Sequence, residues 1–83
     1  MFPLTLSRVN DLVYRVLTAQ GDHVGNLKKI GAAWKFKAIG YEPDGEVVPG
    51  GGPLTDLHNT PFADLDEAVL NAKLRPARPT SLP

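Results

Sequence analysis

An 83-residue chain with 42% hydrophobic and 22% charged residues has the composition of one ordinary globular domain. It contains no cysteine, which excludes disulfides and thiolate-held zinc as supports for the core. The formal net charge is zero, so attraction to a charged partner must come from how the charges are distributed.

Residues 1–11 read as a lead-in to the folded domain. Phe2, Leu4 and Leu6 alternate with Pro3, Thr5 and Ser7, a pattern open to a short edge strand, with Pro3 limiting its pairing. The segment lacks the basic start and long apolar run of a signal peptide. No stretch of the chain nears the roughly 20 apolar residues of a membrane helix. A cytoplasmic location without membrane association is the expectation, in the style of the short stand-alone proteins of bacteria.

The first clear strand is Leu12 to Ala19. Leu12, Tyr14, Val16 and Thr18 share one face, and Val13, Arg15, Leu17 and Ala19 share the other. Both faces are largely apolar. The Tyr14 side is expected to face inward, because Arg15 is cheaper to leave in water. Gln20-Gly21-Asp22 supplies a turn, with Gly21 able to take a positive φ. A second strand follows from His23 to Ile30, where Gly25 marks a bulge or a close backbone contact. After a turn at Gly31-Ala32, the third strand, Ala33 to Tyr41, has the clearest period-two pattern in the chain. Trp34, Phe36 and Ala38 fall on one face; Lys35, Lys37 and Ile39 fall on the other. Burying the two rings supplies roughly 1.5–3 kcal/mol or more apiece.

Residues 42–59 form a Gly/Pro-rich loop, long for so small a domain. Pro43-Asp44-Gly45 reads as a turn and Gly50-Gly51-Gly52-Pro53 as a joint, with a short strand at Glu46 to Pro49 as the alternative to disorder. Beyond it, Asp64 as N-cap with Glu67 three residues later has the form of a capping box. Leu65, Ala68, Val69 and Ala72 then follow helical spacing and are expected to face the sheet. Pro76 ends the helix, and residues 76–83 are expected to be a disordered tail. The predicted architecture is therefore α+β: a three-stranded antiparallel sheet in β-β-β-α order, with one C-terminal helix packed on one face. A single domain spans residues 12–75.

The charge is segregated along this plan. Residues 8–37 carry six basic residues against two acidic ones, a balance of +4. Residues 42–67 carry seven acidic residues and no Lys or Arg, and Lys73, Arg75 and Arg78 restore neutrality. A basic sheet and an acidic loop-plus-helix start can attract each other within the monomer.

Chemistry-bearing motifs are sparse. His23, Asp56 and His58 would need to converge to form a metal or base site, and their spacing is not that of paired ligands. Gly50-Gly51-Gly52 is followed by Pro53, with no Lys-Ser/Thr, in an acidic neighbourhood; this excludes a phosphate-loop fingerprint. Asp64, Asp66 and Glu67 are explained as charges at a helix start. No cofactor, metal or enzymatic activity is expected.

The strand–strand–strand–helix order resembles two known layouts. One is the arm-type DNA-binding domain of phage integrases, which lays a three-stranded sheet in a DNA groove. The other is the MbtH-like proteins, small partners of peptide-synthetase adenylation domains, which Trp34 and Leu74-Arg75-Pro76 echo. The Ser-x-Trp-Pro block of the latter has no counterpart in His23-Val24-Gly25-Asn26-Leu27, and the chain is assigned to neither family.

One helix covers one face of a sheet and leaves the other free. On the expected register the free face carries Arg15, Leu17, Lys28, Lys35, Lys37 and Ile39. The functional expectation is a small non-enzymatic module that binds a protein partner, or itself as a homodimer, through this face. The alternative is a nucleic-acid-binding domain that uses the same basic residues.

Overall fold

The computed structural model describes residues 1–75; the expected tail at 76–83 lies outside them. Six strands run in chain order as β1 Thr5–Asn10, β2 Val13–Leu17, β3 His23–Ile30, β4 Ala33–Tyr41, β5 Val47–Pro49 and β6 Pro61–Phe62. A 3₁₀ turn occupies Thr55–Leu57, and one helix, α1 Glu67–Leu74, closes the described chain. All pairings are antiparallel, in the order β1-β2-β3-β4-β5, and β6 also pairs with β4.

The α+β class and the C-terminal helix agree with expectation, but the sheet is larger than three strands. The lead-in forms a full edge strand, β1, which begins just after Pro3 and pairs with β2 from Thr5↔Leu17 to Asn10↔Val13. The long loop contributes β5, within the Glu46 to Pro49 segment open to a short strand, and the residues just after the loop contribute β6. Both additions have the same cause. A three-stranded sheet exposes two rims of unpaired N–H and C=O groups, and the nearest segments satisfy them.

The core follows β4. Trp34, Phe36 and Ala38 are buried, at 7%, 0% and 1% exposure, together with Leu4, Val16, Leu27, Leu54, Phe62, Leu70 and Leu74. Tyr14 packs edge-on against Trp34, with ring centroids 5.7 Å apart, so the Tyr14 side of β2 does face inward. Leu12 lies in the turn before β2 and is exposed. Thr18 likewise falls outside the strand: its buried hydroxyl accepts hydrogen bonds from the amides of Gln20 and Asp22 and so builds the next turn.

Gly25 adjoins a bulge and admits a close contact. Val16 faces Gly25 whereas Leu17 faces His23, so Val24 is a bulged residue that turns inward and is buried. Gly25 itself lies under the ring of Phe36; a Cβ there would stand 2.3 Å from Phe36 Cε1 and 2.8 Å from the Lys37 carbonyl oxygen. The absent side chain is what admits the ring.

The far rim of β4 is satisfied piecewise by the segment that follows it. Trp34 faces Phe62, and Gly40 faces Val48. Between them the Phe36 N–H donates to the Thr60 carbonyl, and the Phe36 carbonyl accepts from the Asn59 N–H. The Ala38 carbonyl accepts from the Gly50 N–H. Gly52, at φ +85°, lies against Gly40 so closely that a Cβ would stand 2.2 Å from the Ile39 carbonyl oxygen. The glycine run is therefore a backbone-to-backbone docking segment, and Leu54 just beyond it is a buried plug.

The helix starts two residues later than expected. Asp66, with extended φ/ψ of −148° and 112°, is the N-cap, and its side chain accepts from the amides of Ala68 and Val69. The capping box from Asp64 does not form. The buried face is Leu70 and Leu74, while Ala68, Val69 and Ala72 are exposed and only Leu65 of the predicted set packs partly on the core. The two leucines, one turn apart, offer more apolar area than the alanines, and they decide the rotation of the helix. Glu67 turns instead to β1, where its Oε2 accepts from the Leu6 N–H at 2.8 Å. Asn71 grips Leu4 on both sides, accepting from its N–H at 2.6 Å and donating to its carbonyl at 2.9 Å. The side-chain amide thus imitates a neighbouring strand.

Two outcomes follow from this packing. Gly25→Ala is expected to lower the unfolding free energy by about 1–3 kcal/mol, the range for overpacking a core, in a urea titration. Asn71→Ala should cost about 1–3 kcal/mol for the unpaired backbone groups. It should also produce concentration-dependent oligomers in light scattering, because the rim of β1 is opened.

Candidate functional site: the uncovered sheet face

Residues that alternate with the core set form a second face. Across the strands it reads in rows: Ser7, Arg15, Asn26 and Lys37; then Val13, Lys28 and Lys35; then Thr5, Leu17 and His23. Ile39 lies opposite Pro49, and Tyr41 opposite Val47, where β5 extends the face. The six predicted residues, Arg15, Leu17, Lys28, Lys35, Lys37 and Ile39, all fall on it, with Arg15 and Lys28 exposed and the other four half-buried.

Its charge pattern is one-sided. Lys28 stands directly across from Lys35, and Arg15 and Lys37 flank Asn26 in the adjacent row. Like charges in direct cross-strand register repel. The described residues contain one salt bridge, Arg8 to Asp11, in which the carboxylate raises the Arg8 pKa above its ordinary value. That pair is exposed, near the β1–β2 turn, and none of the four cations of the face shares in it. The expected attraction between basic sheet and acidic loop therefore forms no ion pair among the described residues. Lys37 makes one polar contact, donating to Asn59 Oδ1.

Two histidines complete the site, and each has a different task. Tyr41 Oη lies 2.8 Å from His23 Nδ1, and His23 Nε2 lies 2.9 Å from Asn26 Oδ1. These distances are met by a chain of donors running from the Tyr41 hydroxyl through the imidazole to the amide oxygen. His58 stands in for a strand backbone: the Ala38 N–H donates to its Nδ1 at 3.0 Å, so the ring proton resides on Nε2. The imidazoles are thus tied to separate networks. Among the described residues no group of three His, Cys, Asp or Glu side chains is placed to hold a metal ion.

A depression of about 340 Å³ opens on this face between β3, β4 and β5, lined by Asn26, Lys28, Lys37, Ile39, Pro49 and His58 among others. A larger hollow of about 630 Å³ lies at the end of the sheet, around Met1, Thr18, Asp22, Tyr41 and Pro53, and holds none of the four cations. Asn26 and His58 were not among the residues expected on the face, His58 having been weighed only with His23 and Asp56 for a metal or base site. Asn26 shares the parity of Lys28, but its engagement by His23 depends on the Val24 bulge, which turns His23 to the same face, and only the folded loop brings His58 to Ala38.

Comparison with protein-family models, with curated proteins and with solved structures finds no match for this chain. No helix among the described residues is long and apolar enough to cross a membrane.

Replacing His58 with Ala leaves the buried Ala38 amide without its acceptor. The expected loss is about 1–3 kcal/mol in urea unfolding, with amide hydrogen exchange accelerated at Ala38 more than at Leu27.

Proposed function

We propose that this chain is a non-enzymatic interaction module that works through its uncovered sheet face, and that the partner fitting this face best is the phosphate backbone of a nucleic acid. The observation that carries the reading is the directly opposed Lys28–Lys35 pair, set beside Arg15 and Lys37 without a salt-bridged carboxylate. Such a face is self-repelling in isolation and relieved by a polyanion. Half-buried Leu17 and Ile39 hold the cations on a firm surface. The acidic residues of the β4–β5 turn and of the helix start would keep phosphates on the basic rows and away from the rest of the molecule.

Four phosphate contacts on duplex DNA imply a log–log salt slope of roughly −3.6, or an affinity loss on the order of 10²-fold between about 50 and about 200 mM salt. Fluorescence anisotropy with labelled single- and double-stranded oligonucleotides measures it, and Arg15→Glu with Lys35→Glu should abolish binding. Salt-independent or undetectable binding overturns the reading.

A second reading, a protein partner or a second copy of the chain, is favoured by a separate observation. Val9, Leu12 and Ile30 are exposed at 53%, 58% and 52% at the end of the sheet where the β1–β2 and β3–β4 turns lie. Sedimentation equilibrium distinguishes it: self-association that weakens on Leu12→Ser supports this reading, and a monomer at all concentrations removes the homodimer.

A further inference from the structure

Within the basic face, we infer that the depression between β3, β4 and β5 is a seat for one phosphate group. The inference deepens the nucleic-acid reading and rests on it for the source of that phosphate, but the chemistry of the seat is local. Each polar side chain lining it presents a donor. The Lys28 ammonium forms no salt bridge or hydrogen bond with any described side chain. Lys37 gives one of its three N–H groups to Asn59 and keeps two. His58 has its Nδ1 occupied by the Ala38 amide, so the group left over is the Nε2 N–H. Asn26 has its oxygen engaged by His23, so the group left over is the NH₂.

The two networks that fix these orientations begin in the fold and are independent of any ligand. One starts at the Ala38 backbone, the other at the Tyr41 hydroxyl. Side chains that carry two ammonium groups, one imidazole N–H and one amide NH₂ therefore line a space without a carboxylate among its lining residues. Ile39, Pro49 and Gly50 supply the apolar part of the wall, which strengthens charge-assisted hydrogen bonds to an anion. Donors arriving from two strands and a loop suit a tetrahedral anion with several acceptor oxygens better than a planar carboxylate. At about 340 Å³ the space also exceeds a bare phosphate and has room for the sugar attached to it. A terminal phosphate monoester, with its second negative charge, fits better than an internal diester.

The test is an NMR titration of the full chain with inorganic phosphate at constant ionic strength, with chloride as control. It is paired with anisotropy measurements on one oligonucleotide made with and without a 5′-phosphate. Saturable shifts at Asn26, Lys37 and the His58 ring with phosphate but not chloride are expected. Lys28→Gln, an exposed change that disturbs no packing, should weaken phosphate binding about tenfold, and the 5′-phosphorylated oligonucleotide should bind more tightly than its unphosphorylated twin. Shifts that do not saturate, or that chloride reproduces, overturn the seat. If they do so while both oligonucleotides bind equally, the nucleic-acid reading stands without the seat. Saturable phosphate binding without oligonucleotide binding supports the seat, removes the nucleic-acid reading and assigns the phosphate to a small phosphorylated compound.

Discussion

The structure depends on the far rim of β4. That strand holds Trp34 and Phe36 of the core, and its inner rim is paired with β3, so its remaining backbone groups must find partners or stand unpaired beside a buried surface. Residues 47–62 meet the need from several places at once: β5 at one end, β6 at the other, and between them the backbone of Gly50, Asn59 and Thr60 with the imidazole of His58. This requirement makes an eighteen-residue glycine-rich stretch into ordered structure. It also draws Leu54 and Phe62 into the core. The same docking forms one wall of the depression on the opposite face.

How much of this was legible in the sequence differs from element to element, for physical reasons. The period-two run from Trp34 to Ile39 states its two faces plainly, because one set of side chains is large and apolar and the other is mostly charged. The placement of Arg15, Leu17, Lys35, Lys37 and Ile39 on one surface follows from such alternation, whereas β3 alternates poorly and its pairing with β4 decides for Lys28 over Lys29. β1 was harder to read, since half of an edge strand looks at water and its pattern is diluted by Thr5, Ser7 and Asn10. β5 has three residues, all exposed, and its existence is decided by the strand it joins.

The helix shows a different kind of miss. Asp64 and Asp66 are both acceptable caps by type, and only the backbone geometry chooses between them. Leu70 and Leu74 then outweigh the small alanines in setting which side turns inward. At the site, Asn26 and His58 carry no local signal of their role. An asparagine in a strand and a histidine in a loop become donors only after a bulge and a loop docking have fixed which of their atoms are already in use.

The clasp between Asn71 and Leu4 joins positions 67 residues apart in the chain. During synthesis β1 is made before the other described strands, and its outer flank stays bare until Asn71 has been made. The flank therefore cannot be covered before the helix exists. A nascent chain stalled before the helix would display an open sheet margin to whatever chaperone or sister chain is nearest.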